Sequence, residues 1–351
     1  MTFDCIVVAS HLRFDGVYQR PHHIVARLAQ HVPLLFVEEP LLSDLVSDEV
    51  RAVGGVGVLR STRRTLGPVP LDPRTVEAVR GWVGTRRPLI WLYTPMMLEL
   101  ADAYCDAPLV FDCMDELSAF AFAPPDLHER ESALLRRADL VFTGGSSLYE
   151  RRRGLGERVK LYPSGVEFEH FASAPARAPH PLLTALARPV CGYVGVIDER
   201  MDFACVAALA KRPVSVVLVG PTMKIDPRVL PQRTNVHFTG QMPYPVLPSL
   251  LAGFDVALMP FALSAATAYI SPTKTPEYLA AGLPVVSTPI ADVVASYGDV
   301  VRIAAGPEAF AAAALAAAQP DPARIAAGSA RARAAGWDAI VACMWGDLRR
   351  E

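Results

Sequence analysis

Lys274 and Glu277 stand three residues apart at the predicted start of a short helix, in the stretch SPTKTPEYLAAGLPVVST. Either Ser271 or Thr275 can cap this helix, whose first turn then presents free backbone N–H groups. A helix N-terminus attracts phosphate, and a lysine adds a point charge. A glutamate is a good acceptor for two sugar hydroxyls. The spacing therefore suits a nucleoside diphosphate, with pyrophosphate at Lys274 and ribose at Glu277; a surface ion pair is the alternative.

Two further stretches place polar side chains just beyond predicted strands of the N-terminal half. The loop HLRFDGVYQRP follows the first strand, and FDCMDELSAF follows a later one. Paired acids in the second stretch could bind sugar hydroxyls or act as a general base, although Asp115 could equally cap a helix. A lone histidine such as His11 is more often structural. The candidates for substrate or phosphate contacts are His11, Asp15, Gln19, Arg20, Asp112, Asp115 and Glu116.

The elements that must position these residues alternate between short apolar runs and amphipathic segments. FDCIVVAS, HHIVARLAQH and PLLFVEE follow the pattern strand, helix, strand, which is the unit of a doubly wound parallel sheet. The alternation continues towards the C-terminus, interrupted by an Ala- and Pro-rich stretch at 173–181 that we interpret as a linker. The sequence therefore predicts an α/β protein with two doubly wound, Rossmann-like domains that face each other across a cleft.

The predicted domain boundaries follow from this alternation. They are 1–175 for the first domain, 188–335 for the second and 336–351 for a C-terminal helix. That helix has one broad apolar face, which includes Trp337 and Met344, and it should dock back onto the N-terminal domain. Ligands of such sheets bind beyond the carboxyl ends of the strands, so the shared cleft is the predicted site.

Composition and charge narrow the class of protein. The chain has 351 residues, of which 52% are hydrophobic, and a formal net charge of −2, so nothing suggests nucleic acid as a partner. Its six cysteines lack a C-x-x-C pair, which predicts reduced thiols and no bound metal. There is neither a signal-peptide pattern nor an apolar run of membrane-spanning length, which predicts a cytoplasmic protein. Arg151, Arg152 and Arg153 are either a solvated helix end or a patch for anionic lipid at the inner membrane face.

The second half resembles the donor-binding domain of GT-B glycosyltransferases, the group that includes family 4, or glycosyl transferases group 1. Four pieces carry the resemblance: GYVGVIDERMDF, VSVVLVGP, NVHFTGQMPYPVLPSLLAGFDVALMPF and SPTKTPEYLAAGLPVVST. The N-terminal HLRFDGVYQRPHHIVARLA and FDCMDELSAF look like the bacterial subgroup of teichuronic-acid and other surface-polysaccharide transferases. The resemblance implies transfer of a sugar from a nucleotide-sugar with retention of anomeric configuration, and without a metal or another cofactor.

The resemblance also implies roles for individual residues. Glu277 matches the ribose-binding glutamate of the family's E-x7-E motif, whereas Tyr269 stands where the first glutamate, which touches the donor sugar, would fall. Val196 stands where the family has an arginine, which leaves Arg200 as the nearby cation for pyrophosphate. The implied donor contacts are Gly195, Arg200, Gly240, Gln241, Ser271, Thr273, Lys274 and Glu277. The implied acceptor contacts are His11, Asp15, Gln19 and Asp115. The predicted catalytic residues are Asp115, which would position the acceptor, Lys274 and Arg20.

These inferences predict a retaining glycosyltransferase. It would move a sugar from a nucleotide-sugar, with a UDP-sugar favoured, to a saccharide, lipid-linked or small-molecule acceptor. A nucleotide-sugar 2-epimerase on the same architecture would need a dense cluster of carboxylates and histidines, which the sequence does not display. A binding protein that has lost catalysis would account for Tyr269 and Val196. A nicotinamide oxidoreductase is disfavoured, because no G-x-G-x-x-G follows a predicted first strand.

Overall fold

The computed structural model describes residues 1–66, 71–121, 123–223 and 225–350. The chain divides into two compact units, one formed by Met1–Pro163 with Asp338–Glu351 and the other by Ser164–Trp337. Each unit has its own sheet, and helices alternate with strands along the chain. The α/β alternation predicted from the apolar runs is therefore present in both units.

The first unit contains a mainly parallel sheet. Its strands are β1 (Cys5–Ser10), β2 (Leu34–Glu38), β3 (Leu41–Leu42), β4 (Ser47–Val53), β5 (Val56–Arg63), β6 (Pro88–Leu92), β7 (Leu109–Cys113), β8 (Leu140–Thr143) and β9 (Val159–Leu161). Its helices are α1 (Arg20–Leu28), α2 (Pro73–Val83), α3 (Glu99–Ala103), α4 (Leu127–Arg137) and α5 (Ser146–Arg152). The strand order is β3-β5-β2-β1-β6-β7-β8-β9, with β4 antiparallel to β5. Strands β1, β2, β7 and β8 are buried along their whole length, which explains their uninterrupted apolar runs.

The second unit contains a parallel sheet with the order β12-β11-β10-β13-β14-β15. These strands are β10 (Val190–Val194), β11 (Ser215–Val219), β12 (Val236–Gly240), β13 (Val256–Met259), β14 (Val285–Ser287) and β15 (Arg302–Ile303). Its helices are α6 (Phe168–Ala172), α7 (Phe203–Leu209), α8 (Leu247–Leu251), α9 (Lys274–Ala280), α10 (Ala291–Tyr297), α11 (Pro307–Ala317) and α12 (Pro322–Ala334). The sheet and helices share one apolar core, in which Tyr278 and Phe310 are fully buried.

The junction between the units lies earlier than predicted. Residues 164–187, which include the stretch interpreted as a linker, belong to the second unit. The reason is packing, since Phe171 and Leu183 are buried in the core of that unit. The predicted limits 1–175 and 188–335 are corrected accordingly.

The last helix, α13 (Trp337–Arg349), belongs to the first unit from Asp338 onwards. Leu348 is fully buried, and the ring of Trp345 packs edge-on against Phe3 at 5.8 Å between centroids. The ring of Trp345 also stacks with the ring of His31, at 4.6 Å between centroids. The helix therefore uses apolar side chains to dock on the N-terminal unit.

The β4–β5 hairpin is an element that the sequence analysis did not predict. Its two-residue turn is formed by Gly54 and Gly55, at φ +56° and +83°. Positive φ at both turn residues is typical of the tight turn whose twist matches that of two antiparallel strands. The stretch GGVGVLR is therefore a hairpin turn followed by a strand.

Candidate active site

Three strands of the second sheet end at a glycine, or directly before one, at the same edge of the sheet. Gly195 and Gly220 follow β10 and β11, and Gly240 ends β12. The N–H of Gly220 donates to the carbonyl of Gly240 at 2.9 Å, and a Cβ on Gly220 would lie 1.8 Å from the carbonyl oxygen of Gly195. Only glycine permits this close backbone approach. A Cβ on Gly240, at φ +73°, would meet nothing within 4 Å, and Gln241 after it is exposed. This edge therefore leaves room for a ligand, as the carboxyl ends of parallel strands commonly do.

Helix α9 begins at the same edge, because it connects the carboxyl end of β13 to β14. Its N-cap residue is Thr273, and no side chain caps it, so the prediction of Ser271 or Thr275 as the cap is wrong. Thr275 is instead buried, with its hydroxyl 3.4 Å from the sulfur of Met259. Gly282, at φ +73°, follows the C-cap residue, and the helix ends where the sequence predicted.

Lys274 and Glu277 form a buried ion pair on the first turn of α9. The ammonium nitrogen of Lys274 lies 3.1 Å from Oε2 of Glu277, and the two side chains are 13% and 4% exposed. Burial raises the pKa of the Glu277 carboxyl above its usual value, and the charge of Lys274 opposes that rise. The alternative of a surface ion pair is therefore wrong. A pair removed from water interacts more strongly, and each partner is costly to leave alone.

Tyr278 fixes this turn to the end of β10. Its hydroxyl accepts from the N–H of Val194 at 2.8 Å and lies 3.3 Å from the carbonyl of the same residue. Pairing between β10 and β13 stops at Gly192, so the phenol satisfies backbone groups that have no strand partner beyond that point. The sequence analysis missed this residue, although an aromatic side chain directly after Glu277 in a helix of small residues was a usable signal.

Tyr278→Phe is expected to lower the free energy of unfolding by about 1–3 kcal/mol, because it leaves the buried N–H of Val194 without an acceptor. Chemical denaturation measures the change. Tyr297→Phe is the matched control in the same unit, since burial raises the pKa of that phenol as well and Tyr297 lies at the end of α10, outside α9. Equal losses in the two variants would contradict the anchoring role of Tyr278.

Arg200, the predicted pyrophosphate contact, lies in the loop after β10 and is held by Asp198. Its Nε lies 3.0 Å from Oδ1 of Asp198, and its Nη2 lies 2.7 Å from Oδ2. The carbonyl of Val196, in the same loop, accepts from the hydroxyl of Tyr193 at 3.0 Å. A phosphate would therefore compete with Asp198, which the sequence analysis missed, for the N–H groups of Arg200.

The first unit brings Arg20 and Asp112 together in another buried ion pair. The Nε of Arg20 lies 3.1 Å from Oδ1 of Asp112, and the side chains are 3% and 0% exposed. The Nη1 of Arg20 donates to the carbonyl of Tyr162 at 2.7 Å. Burial raises the pKa of Asp112, and Arg20 opposes that rise. Arg20 therefore links the start of α1 to the ends of β7 and β9, and its predicted catalytic role would have to coexist with this structural one.

The predicted acceptor contacts lie in the loop that follows β1, except Asp115, which lies beyond β7. Asp15 is paired with Arg51, and also with Arg60 at 3.0 Å, and these hydrogen bonds lower the pKa of its carboxyl. Gln19 is the N-cap residue of α1, which begins at Arg20. His11 in the loop and Asp115 beyond β7 are both half-buried. Acceptor contact therefore stays a prediction for each of them.

The three arginines predicted as a membrane contact are each paired with a carboxylate. Arg151 and Arg152 lie 2.8 and 2.9 Å from the same oxygen of Glu116. Arg153 lies 3.0 Å from Glu150. The side chain of Arg152 is only 10% exposed, so it is not available to a lipid surface. The local positive charge that suggested anionic lipid is largely neutralised within the unit.

None of the helices in the described ranges is both long and apolar enough to cross a bilayer. No group of three or more His, Cys, Asp or Glu side chains in those ranges is placed to hold a metal ion.

Known proteins resemble the chain in sequence. Residues 188–319 match the sequence model of the family described as Glycosyl transferases group 1, and this range contains Lys274, Tyr278 and Glu277. This match and the relative described next support the resemblance found in the sequence. TuaH of Bacillus subtilis (strain 168), named for teichuronic acid biosynthesis, is 27% identical over 244 residues. The match covers 64% of this chain and 60% of that relative.

Known structures resemble the whole chain. Anabaena Alr3699/HepE, in complex with UDP and glucose, superimposes with a TM-score of 0.76 at 16% identity and covers 100% of both chains. Sucrose-phosphate synthase from Thermosynechococcus elongatus superimposes with a TM-score of 0.73 at 18% identity, covering 99% of this chain and 98% of the other. At such identities the likeness is one of fold, and the predicted GT-B fold is confirmed.

Proposed function

We propose that this protein is a retaining glycosyltransferase that uses a UDP-sugar as donor and a saccharide or lipid-linked saccharide as acceptor. The observation that carries the proposal is the buried pair Lys274–Glu277 at the carboxyl edge of the second sheet, within the part of the chain that matches the family. UDP is favoured as the nucleotide because the Anabaena protein of the same fold binds UDP and glucose. The B. subtilis relative is named for teichuronic acid biosynthesis, and this favours a saccharide acceptor.

The chemistry proposed for Lys274 is stabilisation of the departing diphosphate. Negative charge develops on the leaving group as the glycosidic bond to phosphate breaks, and a fixed cation lowers the energy of that state. Glu277 would accept hydrogen bonds from the ribose hydroxyls. The ligand would then replace Lys274 as the partner of its carboxylate. The departing phosphate can take the proton of the acceptor hydroxyl, so no strong enzymatic base is needed. Asp115 would then position the acceptor.

The donor sugar is expected to be held differently from the family pattern. Tyr269 stands where the resemblance places a sugar-binding glutamate, and it is half-buried close to the start of α9. The backbone between Ile270 and Thr273 also contains Pro272, which has no N–H to offer a phosphate. Thr273 and Ser271 remain the proposed contacts from this segment.

A donor panel tests the proposed function. The full chain is incubated with UDP-sugars in the presence and absence of oligosaccharide acceptors, release of UDP is followed, and the anomeric proton of the product is examined by NMR. Retention predicts the same anomeric configuration in product and donor, and release of UDP that depends on the acceptor. An inverted product would contradict retention. Acceptor-independent release of UDP with an epimerised sugar would favour the 2-epimerase, and no turnover of any donor would favour the inactive binding protein.

A further inference from the structure

Strand β4 is the outer edge of the first sheet. Among the residues that the structure describes, β4 pairs only with β5, and all 7 of its residues are exposed or half-buried. The two-residue turn makes Val53 and Val56 a hydrogen-bonded pair. Because such pairs alternate along an antiparallel ladder, the backbone N–H and C=O groups of the even-numbered residues of β4 point away from β5. This edge is therefore a row of donors and acceptors suited to a further strand.

We propose that β4 pairs with β4 of a second copy of the chain, antiparallel and about a two-fold axis that passes through Val50. A two-fold axis perpendicular to the sheet keeps the faces of the two sheets aligned, so each residue meets one of its own parity and one residue lies on the axis. With Asp48, Glu49 or Arg51 on the axis, like charges would meet. With Val50 there, Glu49 of each copy lies opposite Arg51 of the other.

Among the registers centred on a residue of β4, only this one places Glu49 opposite Arg51, so the charge pattern favours it. Glu49 and Arg51 occupy a non-hydrogen-bonded pair in that register, where opposite side chains are closest. Glu49 is exposed. Arg51 donates to Asp15 of its own chain, and a guanidinium has further N–H donors for a second carboxylate. The two-fold axis produces this cross-strand pair twice.

The apolar side chains beside β4 fit the same register. Leu45 and Val46, which are 77% and 42% exposed, would lie opposite Gly55 and Gly54 of the second copy. A Cβ at either glycine would meet nothing within 4 Å, so the turn offers space for the leucine. Residues 43–53 contain three carboxylates and one arginine, a balance that disfavours an anionic membrane as the alternative occupant.

Sedimentation of the full chain tests the proposal. The wild-type protein is expected to reach twice the 37.9 kDa mass of one chain when its concentration is raised to about 100 μM, which saturates a dimer with a micromolar dissociation constant. Glu49→Arg places two arginines opposite each other at both positions, and it should raise the dimer dissociation constant at least about tenfold. Arg51→Glu should do the same. An equimolar mixture of the two variants should restore the dimer, because each arginine then faces a glutamate.

The mixture separates a lost interface from a damaged fold, since misfolded chains would not recover when combined. Glu157→Arg is the matched control, because it makes the same charge change at another exposed position of the first unit and should leave the dimer intact. A monomeric wild-type protein at the highest concentration would overturn the proposal. A Glu49→Arg variant that dimerises as tightly as wild type, or a mixture that stays monomeric, would overturn it as well.

Discussion

Lys274→Ala is expected to slow sugar transfer by about 100–1,000-fold, the usual cost of removing one group that stabilises developing charge. The lysine is the partner of Glu277 on the first turn of α9, at 3.1 Å. Its loss removes the cation proposed to face the departing diphosphate. The rate of UDP release with the best UDP-sugar and acceptor measures the effect, and Lys211→Ala, an exposed lysine of the same unit, is the control.

The same variant should change how stability depends on pH. Without Lys274 the pKa of the buried Glu277 carboxyl rises further above its unfolded value. A carboxyl whose pKa is higher in the folded state binds more protons there, so its unfavourable contribution grows as pH rises through that window. The free energy of unfolding of Lys274→Ala should therefore fall more steeply with rising pH than that of wild type. Unchanged turnover together with an unchanged pH profile would exclude Lys274 from the site.

Arg20→Ala is expected to reduce the free energy of unfolding by about 3–5 kcal/mol, because it leaves the carboxylate of Asp112 buried without its cation. Asp112 is fully buried, and Arg20 also binds the carbonyl of Tyr162. Chemical denaturation at neutral pH measures the loss. The deficit should shrink at low pH, because burial raises the pKa of Asp112 and its protonated form needs no partner.

Arg87→Ala provides the matched control for Arg20. Arg87 binds Asp4 at 2.9 Å, but their side chains are 63% and 43% exposed. Water screens this pair, so its removal should cost far less stability than the removal of Arg20. Similar losses in the two variants would mean that burial does not distinguish the two ion pairs, and would contradict a structural role for Arg20.

The strands that carry the fold were predictable because they are buried on both faces. Runs such as CIVVAS in β1 and SVVLV in β11 are apolar for that reason. The hairpin at 47–63 escaped notice, since β4 is exposed and its residues SDEVRAV have no apolar face to reveal a strand. The junction between the units was misplaced because composition alone suggested a linker at 173–181, whereas a few apolar side chains such as Phe171 tie that stretch to the second core.

The site was predictable only where its residues are neighbours in the chain. Lys274 and Glu277 belong to one helical turn, so their spacing was enough to suggest that they act together. Contacts between residues far apart in the sequence gave no comparable signal. Arg20 and Asp112 are 92 residues apart in the sequence, and Tyr278 and Val194 are 84 residues apart. These pairs depend on which strands become adjacent, and that is set by the packing of the whole sheet.

Calorimetric titration of UDP into the wild-type protein and Glu277→Ala tests the central claim most directly. Glu308→Ala serves as the control, since that glutamate pairs with Arg212 on the surface of the same unit. Hydrogen bonds to a charged group contribute about 1.5–3 kcal/mol, so the affinity of Glu277→Ala for UDP should fall at least about tenfold while that of Glu308→Ala stays unchanged. Equal affinity in all three proteins would contradict the placement of the donor nucleotide at Glu277, and so would a wild-type protein that binds none of UDP, GDP and dTDP.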